Sequence, residues 1–549
     1  MKRPRPEPLL LFFTFLNGLQ AALTPLSPDE AYYRLWSQQL DWGYFDHPPA
    51  VALWIRAGTL LLGDTALGIR SGFVLLNGLV VYLLWRWWQP RSGLVLLLFA
   101  LPFLQVYTWT ATPDALLLAA ALLFLRQYQQ FLARSSAGSV LLLGVSMALL
   151  LYVKYHGVLL ILLIWASNPR LALKSKAWLA VVFGLFLYAP HLNWQWAHGF
   201  QTLTYHLSAR SPEPYQLRHT LEFVLNQLLL FHPVLLLPAA RRIFQLKAIS
   251  PFERAMQFVL VGFPLFFLCM TAKGYSEPHW TYIAVLPFLY FYIQRFSDII
   301  DQKWVKHTLW ASAALLLTLR IFIAFAPAGL PLETQRYTAG AKAALQIADG
   351  HPLVWANTYQ HAALSAFYGK QYHPVVLAYN RKSRPNYLTL QEAALDTLQG
   401  KKVCIVAPFP FWQARKLQVP DYPDWQLECL CVDSFDFLNR IRIDLLEPLA
   451  FDTLANFSIK IENPYPFEVK IGPKAHFIAM AAYRGGWLQE YKALPLPETS
   501  IAAGTTRVYR DLKIPAELLQ KMPDALFFCV AGRHEPFPLN SPEILPAGR

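Results

Sequence analysis

Residues Ser27–Pro49 read SPDEAYYRLWSQQLDWGYFDHPP. The stretch gathers four carboxylates (Asp29, Glu30, Asp41 and Asp46), His47 and many aromatic rings, and it directly follows an apolar run at about residues 9–24. It is too polar to cross a bilayer and too aromatic for a solvated linker. Ser27 or Asp29 suits an N-cap and Pro28 an early helical position, so a helix is expected to start here. Capping alone explains acids at a helix start. The company of Tyr32, Tyr33, Trp36, Trp42, Tyr44 and Phe45 points further. Rings beside acids can stack on the C–H faces of sugars and bond their hydroxyls, although rings also gather at any membrane interface. Asp46-His47-Pro48-Pro49 makes a stiff turn that sets a carboxylate and an imidazole at one edge. The stretch is expected to form the floor of an active site at the outer face of a membrane.

The sequence around it supplies that membrane domain. Of 549 residues, 55% are hydrophobic and 15% charged, with a mean hydropathy of +0.30. A soluble domain carries about 25% charge. Eleven apolar runs fall at about 9–24, 67–88, 93–110, 114–132, 139–153, 157–167, 177–195, 219–239, 256–272, 280–296 and 307–326, which predicts a polytopic α-helical membrane protein of about 11 spans. The N-terminal apolar run resembles a signal peptide without a clear cleavage site, and is read as an uncleaved first span. Ala50–Leu62 is expected to lie in the interface as an amphipathic helix.

The net charge of +14 excludes little until it is divided. Residues 1–326 carry 25 Lys+Arg and 13 Asp+Glu, a net +12, whereas residues 327–549 carry 23 and 21, a net +2. The excess lies between the apolar runs, where topology uses it, so no nucleic-acid partner is expected. With the N-terminus inside, 17 of the 25 basic residues face inward and nine of the 13 acids face outward. That orientation puts the C-terminal portion outside.

From Pro327 the composition becomes that of a soluble protein. Residues 327–435 alternate strand-like runs (PLVWANT, KKVCIVAPF) with helix-like ones (TAGAKAALQIA, HAALSAFYG, LQEAALDTL), which predicts a small α/β domain. Residues 436–549 carry short β-rich runs between turn residues, which predicts a β-sandwich. Of five cysteines, Cys404, Cys429, Cys431 and Cys529 lie in this tail. One disulfide would suit an oxidising compartment, but free buried thiols are the simpler expectation.

Other ionisable residues are predicted at the same outer ends. Asp114, in Thr112-Pro113-Asp114, starts the fourth run and is level with Asp29. Lys154 separates two apolar runs, where a charge is costly unless it is paired or lines a wet cavity. Lys273, Glu277, His279 and Trp280 follow the ninth run. No His/Asp metal cluster is evident; a divalent cation, if one is used, falls to Asp46 with His47 or His279.

The order of an apolar span, Asp-Glu-Ala-Tyr-Tyr, Gly-Tyr-Phe-Asp-His-Pro-Pro, an amphipathic helix and a second span resembles bacterial glycosyltransferase family 39 and the aminoarabinose transferase group. Thr112-Pro113-Asp114, Lys154-Tyr155 and His279-Trp280 fit the same pattern, as do NTYQHAALSAFYGK and GKKVCIVAP in the tail. In many relatives a Lys stands where His47 does. The resemblance implies a GT-C fold in a bacterial inner membrane, with site and tail on the periplasmic or extracytoplasmic side. It implies transfer of a sugar from a polyprenyl-phosphate carrier to a lipid, glycan or protein acceptor. Asp29, Glu30 and Asp114 are then the catalytic acids, with Asp29 as base. His47, Lys154, Lys273 and His279 would hold the donor phosphate, and Tyr32, Tyr33, Asp46 and Trp280 the sugar or acceptor. A transporter or lipid flippase with an exported accessory domain is the competing class, as is a non-enzymatic sensor; neither explains polar groups collected at the outer ends of spans.

Overall fold

The computed structural model describes residues 7–89, 93–206, 215–325, 330, 332–356, 358–370, 375–377, 395, 397–409, 414–438, 440–449, 451, 456–472, 476–484, 487–531, 541, 544 and 545. The chain forms two compact units, Met1–Ala326 and Pro327–Arg549.

The first unit is helical. α1 (Glu7–Leu23) is followed by α2 (Pro28–Gln38), which turns away from it by 88° and so runs across the end of the bundle. α3 (Ala50–Leu62) packs on α2 and on α4 (Ala66–Trp88). The third apolar run is broken into α5 (Gly93–Ala100) and α6 (Pro102–Val106). Pro102 cannot donate to the preceding turn and forces Leu101 into an extended conformation, φ −91° and ψ 116°. Then come α7 (Pro113–Ala133), α8 (Ala137–Val153), α9 (His156–Ser167), α10 (Ser175–Ala197) and the short α11 (Gln201–Thr204). α8 and α10 meet backbone to backbone: a Cβ on Gly144 would stand 2.7 Å from the Ala180 carbonyl. Small residues at such a crossing replace the hydrophobic drive that lipid abolishes.

α12 (Leu217–Leu230) and α13 (Pro233–Ile243) bend by 101° at His232, whose φ is +68°. α14 (Pro251–Met270), a 3₁₀ segment (Pro278–Ala284) running into α15 (Val285–Gln294), the short α16 (Ser297–Asp301) and α17 (Lys303–Phe325) complete the unit. Arg320 of α17 reaches the Gln105 amide oxygen (3.0 Å) and the Leu16 carbonyl (3.2 Å), tying the last helix to the first.

Each of the eleven apolar runs is helical, but among the described residues five helices alone are long and apolar enough to cross a membrane, and up to seven if bent pairs count as one. The shortfall lies in the runs that proline, His232 or Lys154 interrupt. Ala50–Leu62 is a helix as expected, and Val51, Ala52 and Ile55 form its buried side.

The second unit begins with α18 (Glu333–Ala348), β1 (Leu353–Ala356), α19 (Tyr359–Tyr368), β2 (Val375–Leu377), β3 (Val403–Ala407), β4 (Arg415–Gln418) and β5 (Gln426–Val432). The strands form one sheet in the order β2-β1-β3-β5-β4, parallel among the first three and antiparallel at β5 and β4. The helix expected at LQEAALDTL lies mostly outside the described residues. Cys404 and Cys431 stand opposite each other on β3 and β5 and form a disulfide. This corrects the expectation of free thiols. Alternate positions on paired antiparallel strands bring the two sulfurs together, and spacing along the chain does not reveal that.

Eight more strands follow: β6 (Arg442–Leu445), β7 (Asn456–Glu462), β8 (Val469–Ile471), β9 (Phe477–Arg484), β10 (Trp487–Ala493), β11 (Thr499–Ile501), β12 (Thr506–Lys513) and, after the short α20 (Ala516–Gln520), β13 (Ala525–Ala531). Sheets β12-β7-β6 and β10-β9-β13 share one core containing Ile443, Ile459, Ile461, Met480 and Phe528. β9 and β13 are buried on both faces, since Ala479, Ala481, Phe527 and Cys529 fill a second cluster.

His361 of α19 is buried between Tyr337 (ring centroids 4.4 Å apart) and Trp355 (4.6 Å). Burial pushes its pKa down to about 3 from 6.5. The unfolded chain therefore takes up the proton first. Stability from this group is complete above pH 6.5 and is lost as pH falls toward 3, by on the order of 1 kcal/mol per pH unit. His361→Phe is expected to flatten that slope. Protection of the α19 amides in the full chain, followed by hydrogen exchange between pH 6.5 and 5, checks this; an unchanged slope would refute it.

Candidate active site

The floor of the site is built at the start of α2. Ser27 and Glu30 form a capping box: the Glu30 amide donates to Ser27 Oγ (3.2 Å) and the Ser27 amide to Glu30 Oε2 (2.9 Å). Glu30 also receives Arg70 of α4, Nε to Oε1 and Nη2 to Oε2, both at 2.6 Å, and the Ala111 amide at 2.8 Å. Each carboxylate oxygen thus accepts two hydrogen bonds. Arg70 spends its remaining donors on the carbonyls of Ala21 (2.9 Å), Thr24 (2.6 Å) and Pro25 (2.9 Å). These carbonyls lie in the last turn of α1 and just beyond it, where no helical N–H follows to meet them. The Trp109 ring lies 5.0 Å from the guanidinium. Glu30 and Arg70 are both buried.

In this geometry both Glu30 oxygens are occupied within the protein. It also orients Asp29. Successive helical residues are about 100° apart, so pinning Glu30 inward presents Asp29 on the exposed side of the same turn. Arg34, one turn further on, is buried and paired with Asp64 of the α3–α4 loop.

The Ala111 contact carries the floor to the start of α7. There Pro113 opens the helix and Asp114 sits, buried, in its first turn. Lys154, extended at the break between α8 and α9, donates to both oxygens of Asp114 at 2.7 and 2.8 Å. His279 Nε2 approaches Asp114 at 3.7 Å, and His47 lies within electrostatic reach of it. The Tyr107 ring is 5.6 Å from that of His279 and feels the carboxylates of Asp114, Glu277 and Asp29. Asp29, Asp114, Lys154, His47 and His279 therefore share one end of the bundle. Charges at the end of a helical bundle persist where they are paired or line a cavity.

The loop bearing His47 is clamped by residues 191–206. His191 links Trp42 O (2.6 Å) to the Tyr155 hydroxyl (2.9 Å), and Trp194 Nε1 donates to Asp41 Oδ2 (2.8 Å). Thr202 Oγ1 donates to Tyr44 O (3.2 Å), and His206 Nε2 meets Asp46 O at 3.0 Å. Gly43 passes under the Trp194 ring, where a Cβ would come within 2.5 Å.

The remaining expectations fare unevenly. Tyr32 and Tyr33 are buried, packing with Trp36 (4.5 and 5.1 Å). Their rings lie on the inward side of α2, against Trp36. Lys273 is exposed, and among the described residues no ion pair joins it to the Asp114 cluster. Trp280 packs on His156 (5.6 Å) and Phe267 (5.4 Å). Asp46 is buried. Among the described residues no group of three or more His, Cys, Asp or Glu side chains is placed to hold a metal ion. Sequence reasoning missed Arg70, Arg34, Tyr107 and His191. Arg70 had a signal: a lone cation in the apolar run ALGIRSGFVLL. His191 and Tyr107 had none.

Residues 46–194 match the family described as dolichyl-phosphate-mannose-protein mannosyltransferase. No curated protein sequence matches the chain. The crystal structure of ArnT from Cupriavidus metallidurans bound to undecaprenyl phosphate is similar, with a TM-score of 0.55 at 14% identity, covering 77% of this chain and 97% of that one. The apo form of the same ArnT gives 0.54 at 15% identity over the same shares. At such identity the likeness establishes the fold, a polytopic bundle of the GT-C type with a strand-rich C-terminal region. The family match over residues 46–194 and this fold both agree with the resemblance to family 39.

Breaking a buried ion pair from one side costs about 3–5 kcal/mol. Arg70→Leu is accordingly expected to lower the thermal unfolding temperature of the purified chain sharply, and Arg70→Lys less so. A melting curve equal to wild type for Arg70→Leu would show that the floor is not held by this pair.

Proposed function

We propose that this chain transfers a sugar from a polyprenyl-phosphate carrier to an acceptor hydroxyl or phosphate at the outer face of the membrane, in one inverting displacement. The observation that carries the reading is the pairing of an exposed carboxylate, Asp29, with a buried one, Asp114, that is flanked by Lys154, His279 and His47. Asp29 accepts the acceptor proton as the acceptor oxygen attacks the anomeric carbon. The bond from that carbon to the phosphate oxygen breaks, and polyprenyl phosphate leaves. Lys154 and the two imidazoles meet the charge that grows on the leaving oxygen. Asp114 fixes the Lys154 ammonium where the phosphate arrives.

The ArnT structure that shares the fold holds undecaprenyl phosphate, which supports a lipid-phosphate donor here. Two features support an outer-face site. Basic residues gather at the opposite ends of the spans. The Cys404–Cys431 disulfide suits a second unit in an oxidising compartment.

Removing a general base costs about 10²–10⁴-fold. In a deletion strain complemented with Asp29→Asn, mass spectrometry of envelope lipids and glycoproteins is expected to show the sugar-modified species gone. The purified variant should still bind undecaprenyl phosphate as wild type does. A modified species at wild-type abundance would remove Asp29 from the role of base.

A further inference from the structure

A cavity of about 550 Å³ is lined, among the described residues, by Gln216, Arg218, His219, Glu222, Asn226 and Tyr275. Its wall is one face of α12, since His219, Glu222 and Asn226 follow the helical i, i+3, i+7 spacing. Among the described residues its lining has no aliphatic side chain, which does not suit an acyl or polyprenyl tail. Among the described lining residues the one cation and the one anion offset each other, since Arg218 Nε donates to Glu222 Oε1 at 2.6 Å. The described lining therefore offers no surplus positive charge for a phosphate. What remains is two side-chain amides, a charged pair and an aromatic ring, the chemistry that bonds and stacks on sugar hydroxyls and ring faces. Burial, then the Glu277 and Glu222 carboxylates, raise the Tyr275 pKa, so its hydroxyl stays a donor. His219 is more than nine-tenths buried, and its Nδ1 has no hydrogen-bond partner among the described residues. A buried polar atom in that state calls for a ligand or water.

The cavity is wired to the Asp114 cluster. Gln227, next to Asn226, donates to Pro278 O (3.1 Å) and accepts from Thr281 Oγ1 (2.6 Å), which brackets His279. Thr220 and Thr271 hydroxyls share a bond of 2.8 Å that closes α12 on the end of α14. The segment 275–279 thus borders both the cavity and the acid–base cluster.

We propose that this cavity is the acceptor subsite and that it takes an uncharged sugar ring of a glycan acceptor. The proposal rests on the transferase reading above and adds the acceptor class to it. The acceptor ring lies along α12, and its hydroxyl reaches Asp29 past the 275–279 segment.

The full chain in lipid nanodiscs is to be probed by saturation-transfer NMR with neutral trisaccharides of glucose, galactose and mannose, and with the same trisaccharides carrying a 6-phosphate. Undecaprenyl phosphate binding is measured in parallel. At least one neutral trisaccharide is expected to bind. Asn226→Leu and the exposed-loop variant Tyr275→Ala should each weaken it at least tenfold, with undecaprenyl phosphate affinity within twofold of wild type. Binding of phosphorylated sugars alone, of no saccharide, or of neutral saccharides undiminished in both variants would overturn the proposal. Failure of wild type to bind undecaprenyl phosphate would strike the donor reading instead, and leaves the saccharide result to be judged by itself.

Discussion

The buried pair of Glu30 and Arg70 is the interaction on which the membrane unit's site depends. An ionised carboxylate and a guanidinium at the end of an apolar bundle are stable only when each lone pair and N–H is met. Here that demand is what assembles the floor. The end of α1, the cap of α2, the side of α4 and the approach to α7 all converge because each supplies one missing partner. A hydrophobic pair of the same volume would pack, but it would not specify the rotation of α2 or the level of α7.

From that rotation follows the division of labour between two neighbouring acids. Glu30 is a structural anion and Asp29 a presented one, although DEAYY by itself treats them alike. The Asp114–Lys154 pair repeats the principle with a different outcome. It too is buried and bidentate, but it lies beside His279 and near His47, so its charge is shared among several ionisable groups. The clamp from His191 to His206 fixes the loop that carries His47: it holds the backbone oxygens of Trp42, Tyr44 and Asp46, while the His47 ring packs with Tyr33 and Trp36.

The second unit obeys ordinary soluble-protein rules. A mixed sheet carries a cross-strand disulfide, and two further sheets share an aliphatic core. Its aromatic box around His361 has Gly340 packed over it, where a Cβ would come within 2.7 Å of the Trp425 ring and 3.3 Å of His361 Nε2.

The sequence alone determined the membrane class, the approximate extent of nearly every helix, the change of character at Pro327 and the stretch where the site begins. These depend on hydropathy, proline and capping, which act over a few residues. It also singled out Asp29, Asp114, Lys154, His47 and His279, because ionisable groups at the ends of apolar runs are conspicuous. Tertiary structure decided which acid is exposed, that Arg70 holds the other, that Tyr32 and Tyr33 face the core, that Lys273 stands apart and that Cys404 meets Cys431. Each of those depends on a helix rotation or a strand register linking residues tens of positions apart. Such links are selected by packing and by the cost of an unmet buried charge, neither of which is visible in local spacing.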